Sequence, residues 1–485
     1  MPDGDIVERA RAYGGMHPSM QVEQFDARHD QTGQGGGPAT EYDEAAETNI
    51  ERVETHGRTG IDGRGHGRRH RDGDVRSIRL APMTVLARQA GIGECRPLAA
   101  NRSIEPRVEE EFGGLHHVVM MAQTDGRDAP TLRIGAMTGD GIGHEIVPAT
   151  IRVVDAALAA VHGPVVDWQH LPLGLGALDE HGTPMPEHTL NELGRLEAWI
   201  LGPHDSASYP EPFRSQLTPG GRIRKHFDLF ANIRPAKALP GVRAMSPQMD
   251  LVVVRENTEG FYADRNMFVG SGEFMPTPDV ALAVGVFTRS ACERIAREAF
   301  SLADRRRKKV TIVHKTNVLS LTTGLFRDAC RSVGEEFPQV DVTEEHVDAL
   351  AAHLVRRGED YDVIVAENMF GDILSDLTGE LSGSLGTAPS INSSRTQAMA
   401  QASHGSAPDI AGRNRANPTA LFLSTAMLLE WLADRHGDER LAAAAGRIRH
   451  AVDDTVESGV ATADLGGQAS TSAFTETVEA RVHRR

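Results

Sequence analysis

The stretch YDVIVAENMFGDILSD (361–376) joins an apolar run to a pair of aspartates. Its first half has the apolar character of a buried strand, and the residues after it predict a helix that begins near Gly371. Asp372 and Asp376 are four residues apart, so a helix places both carboxylates on one face. Carboxylates this close repel each other unless a positive charge lies between them, and such oxygen ligands suit Mg²⁺ or Mn²⁺. The alternative is a solvated acidic helix start, because aspartate also suits the helix dipole.

Outward from this stretch, short β-rich runs alternate with helical patterns. The predicted strands are 132–137, 198–201, 250–254, 309–313 and 361–366, and the predicted helices are 146–161, 281–303, 345–356, 419–434 and 439–452. Strands that alternate with helices indicate βαβ units and a largely parallel sheet, so the fold class is α/β. The patterned part has about 355 residues, enough for a large core in two domains.

The composition excludes several classes of protein. The chain has 485 residues and a formal net charge of −17, which argues against a nucleic-acid-coating protein. Cys95, Cys292 and Cys330 are too few and too scattered for a disulfide framework, which fits a reducing cytosol. The sequence has no apolar run long enough to span a membrane, and its first residues lack the apolar core of a secretory signal. We therefore expect a cytoplasmic protein that binds neither nucleic acid nor a membrane.

Residues 1–130 differ from the rest of the chain. They contain no lysine, many Arg, Gly, His and acidic residues, and little apolar periodicity. Such a segment cannot bury enough apolar surface to offset the entropy of ordering, which predicts disorder. An Arg-rich nucleic-acid-binding arm is the functional alternative. Met120 and Met121 precede the first globular pattern, so a third interpretation is that this segment is not part of the native protein.

Two segments that mix charged and apolar residues contain three arginines of interest. Arg224 and Arg234 lie in IRKHFDLFANIRPAK (223–237), and Arg255 ends the strand-like run of VVVRENTEGFY (252–262). Guanidinium groups at such positions can hold carboxylates with two parallel hydrogen bonds. Ordinary salt bridges are the alternative for each arginine alone. Tyr262, after the polar turn, is a candidate proton donor, although core packing is commoner for a tyrosine.

Two further charged residues occur in apolar surroundings. Lys315 follows the strand-like run of TIVHKTN (311–317), and it is one of five lysines in the chain. We consider it a candidate base. The alternative is a structural lysine whose ammonium group reaches the solvent. Asp348 lies in the helical pattern EEHVDALAAHLV (344–355), where apolar neighbours are unusual for a residue expected in solvent.

Two glycine-containing loops are candidates for ligand binding. TGDGIGHE (138–145) connects a strand to a helix and resembles neither the dinucleotide fingerprint nor a phosphate loop, so a structural turn is an equal alternative. HGSAPDIAGRNRANPTA (404–420) could hold an adenosine through its main-chain amides, with Asp409 accepting from the ribose hydroxyls. An acidic residue there would favour NAD over NADP. Asn417 and Pro418 predict the start of a helix.

Five of these segments, in this order, resemble the β-decarboxylating hydroxyacid dehydrogenases of the isocitrate/isopropylmalate dehydrogenase family. The motifs are GDGIG (139–143), RKHFDLFANIRPAK (224–237), VRENTEGFY (254–262), VDALAAHLV (347–355) with ENMFGDILSD (367–376), and HGSAPDIAG (404–412). The resemblance runs from about residue 132 to near the C-terminus and does not include residues 1–120. It implies oxidation and decarboxylation of a (2R)-hydroxy acid that carries a β-carboxylate, with NAD and Mg²⁺ or Mn²⁺.

The same resemblance implies a role for each matching residue. The substrate carboxylates would be bound by Arg224, Arg234 and Arg255. The metal ligands would be Asp372, Asp376 and, in a homodimer with shared active sites, the partner subunit's Asp348. Proton transfer would use Tyr262, which protonates the enolate carbon, and the partner subunit's Lys315, which takes the hydroxyl proton. The adenosine of NAD would lie at His404, Gly405, Ala407, Asp409 and Asn417.

The family resemblance also implies an architecture for residues 131–485. We expect an isopropylmalate dehydrogenase-like two-domain fold with a large mixed, mostly parallel sheet and an active-site cleft between the domains. The first subdomain would combine residues 131–230 with 385–485. The second, residues 231–384, would carry the dimer interface.

The substrate side group is the least determined feature. The segment QLTPGGRIRK (216–225) matches neither the isopropylmalate nor the isocitrate pattern, and Gln401 stands where the family usually has a glutamate near the nicotinamide. Three motifs favour 3-isopropylmalate, with D-malate, tartrate and isocitrate as alternatives. A non-catalytic regulatory subunit of the same fold is the alternative from another class, but Tyr262, Lys315 and the three aspartates are all present.

Overall fold

The computed structural model describes residues 131–262, 264 and 266–484. The predictions made for residues 1–130 lie outside the described residues. Within the described part, no helix is long and apolar enough to cross a membrane.

Strands and helices alternate through most of the described chain, as predicted. The strands are β1 (Thr131–Met137), β2 (Val165–His170), β3 (Ala198–Leu201), β4 (Ala231–Lys237), β5 (Asp250–Glu256), β6 (Glu273–Thr277), β7 (Val280–Ala283), β8 (Lys309–His314), β9 (Asp341–His346), β10 (Val363–Ala366), β11 (Ile391–Ser393) and β12 (Ala398–Gln401). The helices are α1 (Gly143–Ala160), α2 (Leu175–His181), α3 (Glu187–Leu193), α4 (Pro219–His226), α5 (Arg289–Asp304), α6 (Thr322–Gly334), α7 (Val347–Arg357), α8 (Asn368–Ser382), α9 (Thr419–His436), α10 (Glu439–Glu457) and α11 (Thr471–Val482).

One ten-stranded sheet organises the fold, in the order β2-β1-β3-β12-β11-β4-β5-β10-β8-β9. The antiparallel pairs β12–β11, β11–β4 and β4–β5 lie in the middle of the sheet. The pairs on both sides of them are parallel. A separate hairpin is formed by β6 and β7. The predicted α/β class with a large, mixed, mostly parallel sheet is confirmed.

The apolar strands of the sheet are buried because helices cover both faces of the sheet. β5 (DLVVVRE) and β10 (VIVA) are buried along almost their whole length, as expected for interior strands with both faces covered. Around one half of the sheet, one cluster includes Ile134 and Phe422, and a second lies about Trp199. Around the other half, separate clusters form about Val310 and Leu374. The proposed subdomain boundaries remain a prediction.

The predicted helix at 281–303 is wrong at its start. Residues Val280–Ala283 form β7 against β6, and the helix begins only at Arg289. The apolar spacing of this segment suits a helix or a strand, so the pairing partner decides between them. The helix start is marked by Thr288, whose side chain accepts a hydrogen bond from the Ala291 amide over 3.3 Å.

The helix of the 361–376 stretch begins earlier than predicted, at Asn368. Glu367 caps it, because its side chain accepts from the amides of Met369 and Phe370 over 3.1 and 2.7 Å. Gly371 therefore lies inside α8, where a Cβ atom would stand 2.8 Å from Cβ of Arg255. This glycine lets α8 approach β5 closely instead of starting the helix.

Candidate active site

Arg255 lies near the end of β5 and is 2% exposed. Its Nε and Nη2 both donate to Oδ1 of Asn368, over 2.9 and 2.7 Å, and its Nη1 donates to Asp372. The guanidinium group is thus held against the first two turns of α8. This contact is possible because residue 371 is a glycine, which has no side chain to collide with Arg255.

Arg234, on β4, provides the positive charge between the two aspartates of α8. Its Nη1 lies 3.0 Å from Oδ1 of Asp372 and 3.4 Å from Oδ1 of Asp376. The same nitrogen donates to Oγ of Ser375 over 2.8 Å, and Nε donates to Oδ1 of Asn232. Asp372 and Asp376 therefore share one face of α8, as predicted, with a guanidinium group between them.

The two aspartates differ in acidity because their surroundings differ. Burial alone would raise the pKa of Asp372, but Arg255, Arg234 and the Tyr262 hydroxyl outweigh it and hold the pKa below its usual value. For Asp376, burial dominates and raises the pKa, although Arg234 opposes it. Asp372 consequently ionises more readily than Asp376.

Tyr262 joins this cluster from the turn after β5. Its hydroxyl donates to Oδ2 of Asp372 over 2.6 Å, and its ring lies 5.5 Å from the guanidinium carbon of Arg255. Burial and the hydrogen bond to Asp372 raise the pKa of Tyr262 to about 12. The phenol therefore keeps its proton at neutral pH, as a proton donor requires.

Arg224 approaches the cluster from α4. Its Nη2 donates to Oε1 of Gln401 at the end of β12, over 2.8 Å. Its positive charge also contributes to the lowered pKa of Asp372. All three arginines that the sequence singled out therefore act on one region of the molecule.

Lys315 and Asp348 form a pair of their own, with Nζ of Lys315 2.6 Å from Oδ1 of Asp348. The Asp348 side chain is 67% exposed, and the hydrogen bond from Lys315 lowers its pKa. Among the described residues of this one chain, no group of three or more His, Cys, Asp or Glu side chains is placed to hold a metal ion. A three-aspartate metal site therefore needs a carboxylate from beyond the described part of this chain.

The glycine-rich turn at 138–143 is held mainly by protein contacts. Asp140, which is buried, accepts from the Leu175 amide (2.6 Å), the Asp205 amide (2.8 Å) and the Tyr209 hydroxyl (2.7 Å). The Ile142 amide donates to the carbonyl of Ser406 over 2.9 Å. This turn is therefore a structural support for the 404–420 loop.

The residues expected at the adenosine lie along that supported loop. Nδ1 of His404 lies 3.0 Å from the Gly405 carbonyl, and burial lowers the pKa of His404. Its Nε2 is buried without a hydrogen-bond partner in the described structure. Ala407 has a positive φ of 39°, and Asp409 is exposed. An unpaired buried nitrogen and an exposed carboxylate on one loop suit a polar ligand such as an adenosine.

Asn417 has a structural partner at the end of the loop. Its Nδ2 donates to Asp464 over 2.9 Å, and its Oδ1 accepts from the Thr419 amide over 3.0 Å. The helix start predicted at Asn417–Pro418 is confirmed, because α9 begins at Thr419.

Sequence reasoning missed several residues that support the cluster. Asn368 and Asn232 orient Arg255 and Arg234, and Ser375 contacts Arg234 from the same helix as the aspartates. The asparagine two residues before Arg234 in ANIRPAK is the available signal, because a buried amide needs hydrogen-bond partners.

Comparisons with known proteins point to one family. The family model of isocitrate/isopropylmalate dehydrogenase matches residues 133–478. The chain is 43% identical over 348 residues to the isocitrate/homoisocitrate dehydrogenase of Thermus thermophilus, a match that covers 71% of this chain and 97% of the relative. It is 39% identical over 342 residues to the 3-isopropylmalate dehydrogenase of Methanothermobacter thermautotrophicus, covering 70% and 95%. It is also 36% identical over 361 residues to a probable tartrate dehydrogenase/decarboxylase of Bacillus subtilis, covering 72% and 98%.

A solved structure gives the same result. The crystal structure of isocitrate dehydrogenase from Methylococcus capsulatus superposes with a TM-score of 0.65 at 35% identity, covering 73% of this chain and 100% of that one. Fold and sequence together define a decarboxylating hydroxyacid dehydrogenase. The chain belongs to the isocitrate/isopropylmalate dehydrogenase family. The resemblance inferred from the motifs is confirmed, and the relatives' names span several substrates.

Proposed function

We propose that this protein is an NAD- and divalent-metal-dependent dehydrogenase that oxidises and decarboxylates a (2R)-hydroxy acid with a β-carboxylate. The observation that carries this proposal is the contact of Asp372 with Arg234, Arg255 and Tyr262 at the end of the central strands. The motifs favour 3-isopropylmalate as the substrate, and D-malate, tartrate and isocitrate are the alternatives.

Arg224, Arg234 and Arg255 would bind the substrate carboxylates. Arg234 and Arg255 are almost fully buried, and each is held by an asparagine oxygen through Nε. Both also contact Asp372, and with Arg224 the site has three guanidinium groups against the two carboxylates of Asp372 and Asp376. Such a pre-oriented, cationic site favours a di- or tricarboxylate over a monoanion.

The donor set of the cluster fits a hard divalent cation. Asp372 and Asp376 present carboxylate oxygens from one face of α8, and the partner subunit's Asp348 would add a third. These are the ligands preferred by Mg²⁺ or Mn²⁺. When bound, the cation supplies Lewis acidity that lowers the pKa of the substrate hydroxyl and stabilises the enolate charge.

The loop at 404–420 would hold the adenosine of NAD, which accepts the hydride. His404, Gly405, Ala407, Asp409 and Asn417 would line this site, and the exposed Asp409 would discriminate against a 2′-phosphate. The partner subunit's Lys315 would take the hydroxyl proton. Tyr262, protonated at neutral pH, would return a proton to the enolate carbon after CO₂ leaves.

A homodimer would complete each active site. The β6–β7 hairpin is exposed along its whole length and carries Phe274, Met275, Val280 and Leu282. Val318 and Leu321, which follow Lys315, are 69% and 86% exposed. Apolar side chains at these positions suit burial against a second copy, which would also deliver Asp348 and Lys315. We expect this dimer in the cytoplasm.

The proposal is tested by measuring NADH formation with Mg²⁺ or Mn²⁺ across 3-isopropylmalate, D-malate, tartrate and isocitrate. We expect turnover that a chelator abolishes and that added metal restores. No turnover with any acid, in a folded dimer that still binds NAD, would instead favour the non-catalytic subunit.

A further inference from the structure

Gly220, in the first turn of α4, places no side chain beside the arginines of the candidate site. Gly220 and Arg224 are four residues apart, so they share one face of α4. Arg224 on this face reaches Gln401 at the end of β12. A side chain at position 220 would therefore point toward the space beside Arg224 and Gln401, but glycine places no atoms there.

His204 fills that space from a different part of the chain. A Cβ atom built at Gly220 would lie 2.8 Å from Nε2 of His204 and 3.7 Å from Nε2 of Gln401. His204 belongs to the loop after β3, and no motif in the sequence pointed to it. The imidazole thus occupies the volume that a side chain at position 220 would take.

The backbone of this loop is anchored on both sides of His204. The carbonyl of Pro203 accepts from the Asp140 amide over 2.7 Å, and the amide of Asp205 donates to Oδ2 of Asp140 over 2.8 Å. Asp140 belongs to the glycine-rich turn and is itself buried, so both hydrogen bonds are shielded from water. The backbone that carries His204 is therefore fixed on both sides of this residue.

The ring presents unused hydrogen-bonding capacity. Nε2 of His204 is buried and has no hydrogen-bond partner in the described structure, which is uncommon for a buried polar atom. Burial lowers the pKa of His204, and the neighbouring Arg224 adds to this effect. The ring is thus neutral at pH 7, and a polar group that reached Nε2 would break no protein hydrogen bond.

We propose that His204 is the specificity-determining residue of this site, and that it hydrogen-bonds an oxygen on the side group of the substrate carbon that bears the β-carboxylate. The inference rests on the function proposed above and narrows its substrate class to acids with a hydroxyl or carboxylate side group. A branched alkyl group would leave Nε2 unpaired, so this pocket selects against 3-isopropylmalate, the substrate toward which the motifs lean.

The test compares acids that differ only in this side group. Tartrate carries a hydroxyl there, isocitrate a carboxymethyl group, 3-isopropylmalate an isopropyl group, and D-malate only hydrogen. For each acid, kcat/KM is measured with the wild-type protein, His204→Leu, His204→Gln and His226→Leu. The glutamine side chain keeps an amide group that can replace the ring nitrogen. The control residue, His226, is exposed on the last turn of α4, the helix that contains Gly220.

We expect the wild-type protein to prefer tartrate or isocitrate over 3-isopropylmalate, and the preferred acid tells which oxygen group fits. His204→Leu should lower that preference about 10- to 100-fold, and His204→Gln should recover much of it. His226→Leu should keep the wild-type ratio. A wild-type preference for 3-isopropylmalate, or an unchanged ratio in an active His204→Leu protein, overturns the inference while leaving the proposed function intact. Absence of wild-type turnover with every acid removes the proposed function itself.

Discussion

Asn232 and Asn392 lie directly opposite each other across the antiparallel pair of β4 and β11. Nδ2 of Asn232 donates to Oδ1 of Asn392 over 2.7 Å, and both side chains are fully buried. The same Oδ1 accepts from Asn257 over 3.0 Å, while Oδ1 of Asn232 accepts from Nε of Arg234. A chain of buried amides from β4, β11 and the residue after β5 therefore supports one of the arginines of the site.

Asn392→Leu should destabilise the protein, because it leaves the buried amides of Asn232 and Asn257 without their shared acceptor. We expect the free energy of unfolding to fall by about 1–3 kcal/mol, measured by urea denaturation. Thr425→Val is a suitable control, since the hydroxyl of this buried residue donates to the Leu421 carbonyl of its own helix, α9, over 2.9 Å. Equal losses in both variants would contradict a special role for the amide chain.

Asp372→Asn should abolish metal-dependent turnover, because it removes the charge that faces Arg234, Arg255 and Tyr262 while keeping the volume of the side chain. We expect circular dichroism to show an unchanged helix content. The activity is followed by NADH absorbance with and without chelator. Full activity that persists in the presence of chelator would show that this aspartate holds no metal.

Arg255→Lys should also impair the protein strongly. An ammonium group cannot reproduce the two hydrogen bonds to Asn368 together with the contact to Asp372. We expect KM for the hydroxy acid to rise at least about tenfold, because a bidentate contact is lost. KM for NAD serves as the internal reference, and normal kinetics for both substrates would remove Arg255 from the site.

Tyr262→Phe should reduce kcat about 10²- to 10⁴-fold, the usual contribution of a positioned proton donor, with a small effect on KM. The pKa of about 12 also predicts that the phenol does not ionise below about pH 10 in the folded protein. The wild-type rate should consequently show no loss from this group on the alkaline side up to that pH. A variant that kept wild-type kcat would exclude Tyr262 as the donor.

Glu259, which has no role in the proposed reaction, should make the free energy of unfolding depend on pH. Burial raises its pKa to about 6, although its carboxylate accepts from the Thr288 amide over 2.7 Å. The folded state therefore binds this proton more tightly than the unfolded state does. The resulting stabilisation, of about 1–2 kcal/mol, is complete below pH 4.5 and is lost as the pH rises through 6. Glu259→Gln should flatten the unfolding free energy across this range, and an unchanged slope would contradict the assignment.

Local pattern predicted much of the framework but not its irregular parts. The β3 strand and the starts of α9 and α10 were predicted correctly, because apolar periodicity and helix-start residues report on their own segments. β7 was assigned to a helix, because its spacing allows both structures and the partner strand β6 decides. His204 went unnoticed, since nothing in the sequence near it records its contact with Gly220.

The sequence by itself determined the family, the α/β class and the shared face of Asp372 and Asp376, because motif order and helical spacing are local properties. Only the tertiary structure decided which groups surround those carboxylates. The antiparallel pairing of β4 with β5 brings Arg234 to α8, although 142 residues separate Arg234 from Asp376. Likewise, the anchoring of the loop after β3 on Asp140 places His204 against Gly220. Contacts between distant segments depend on sheet order and register, which spacing along one segment does not encode.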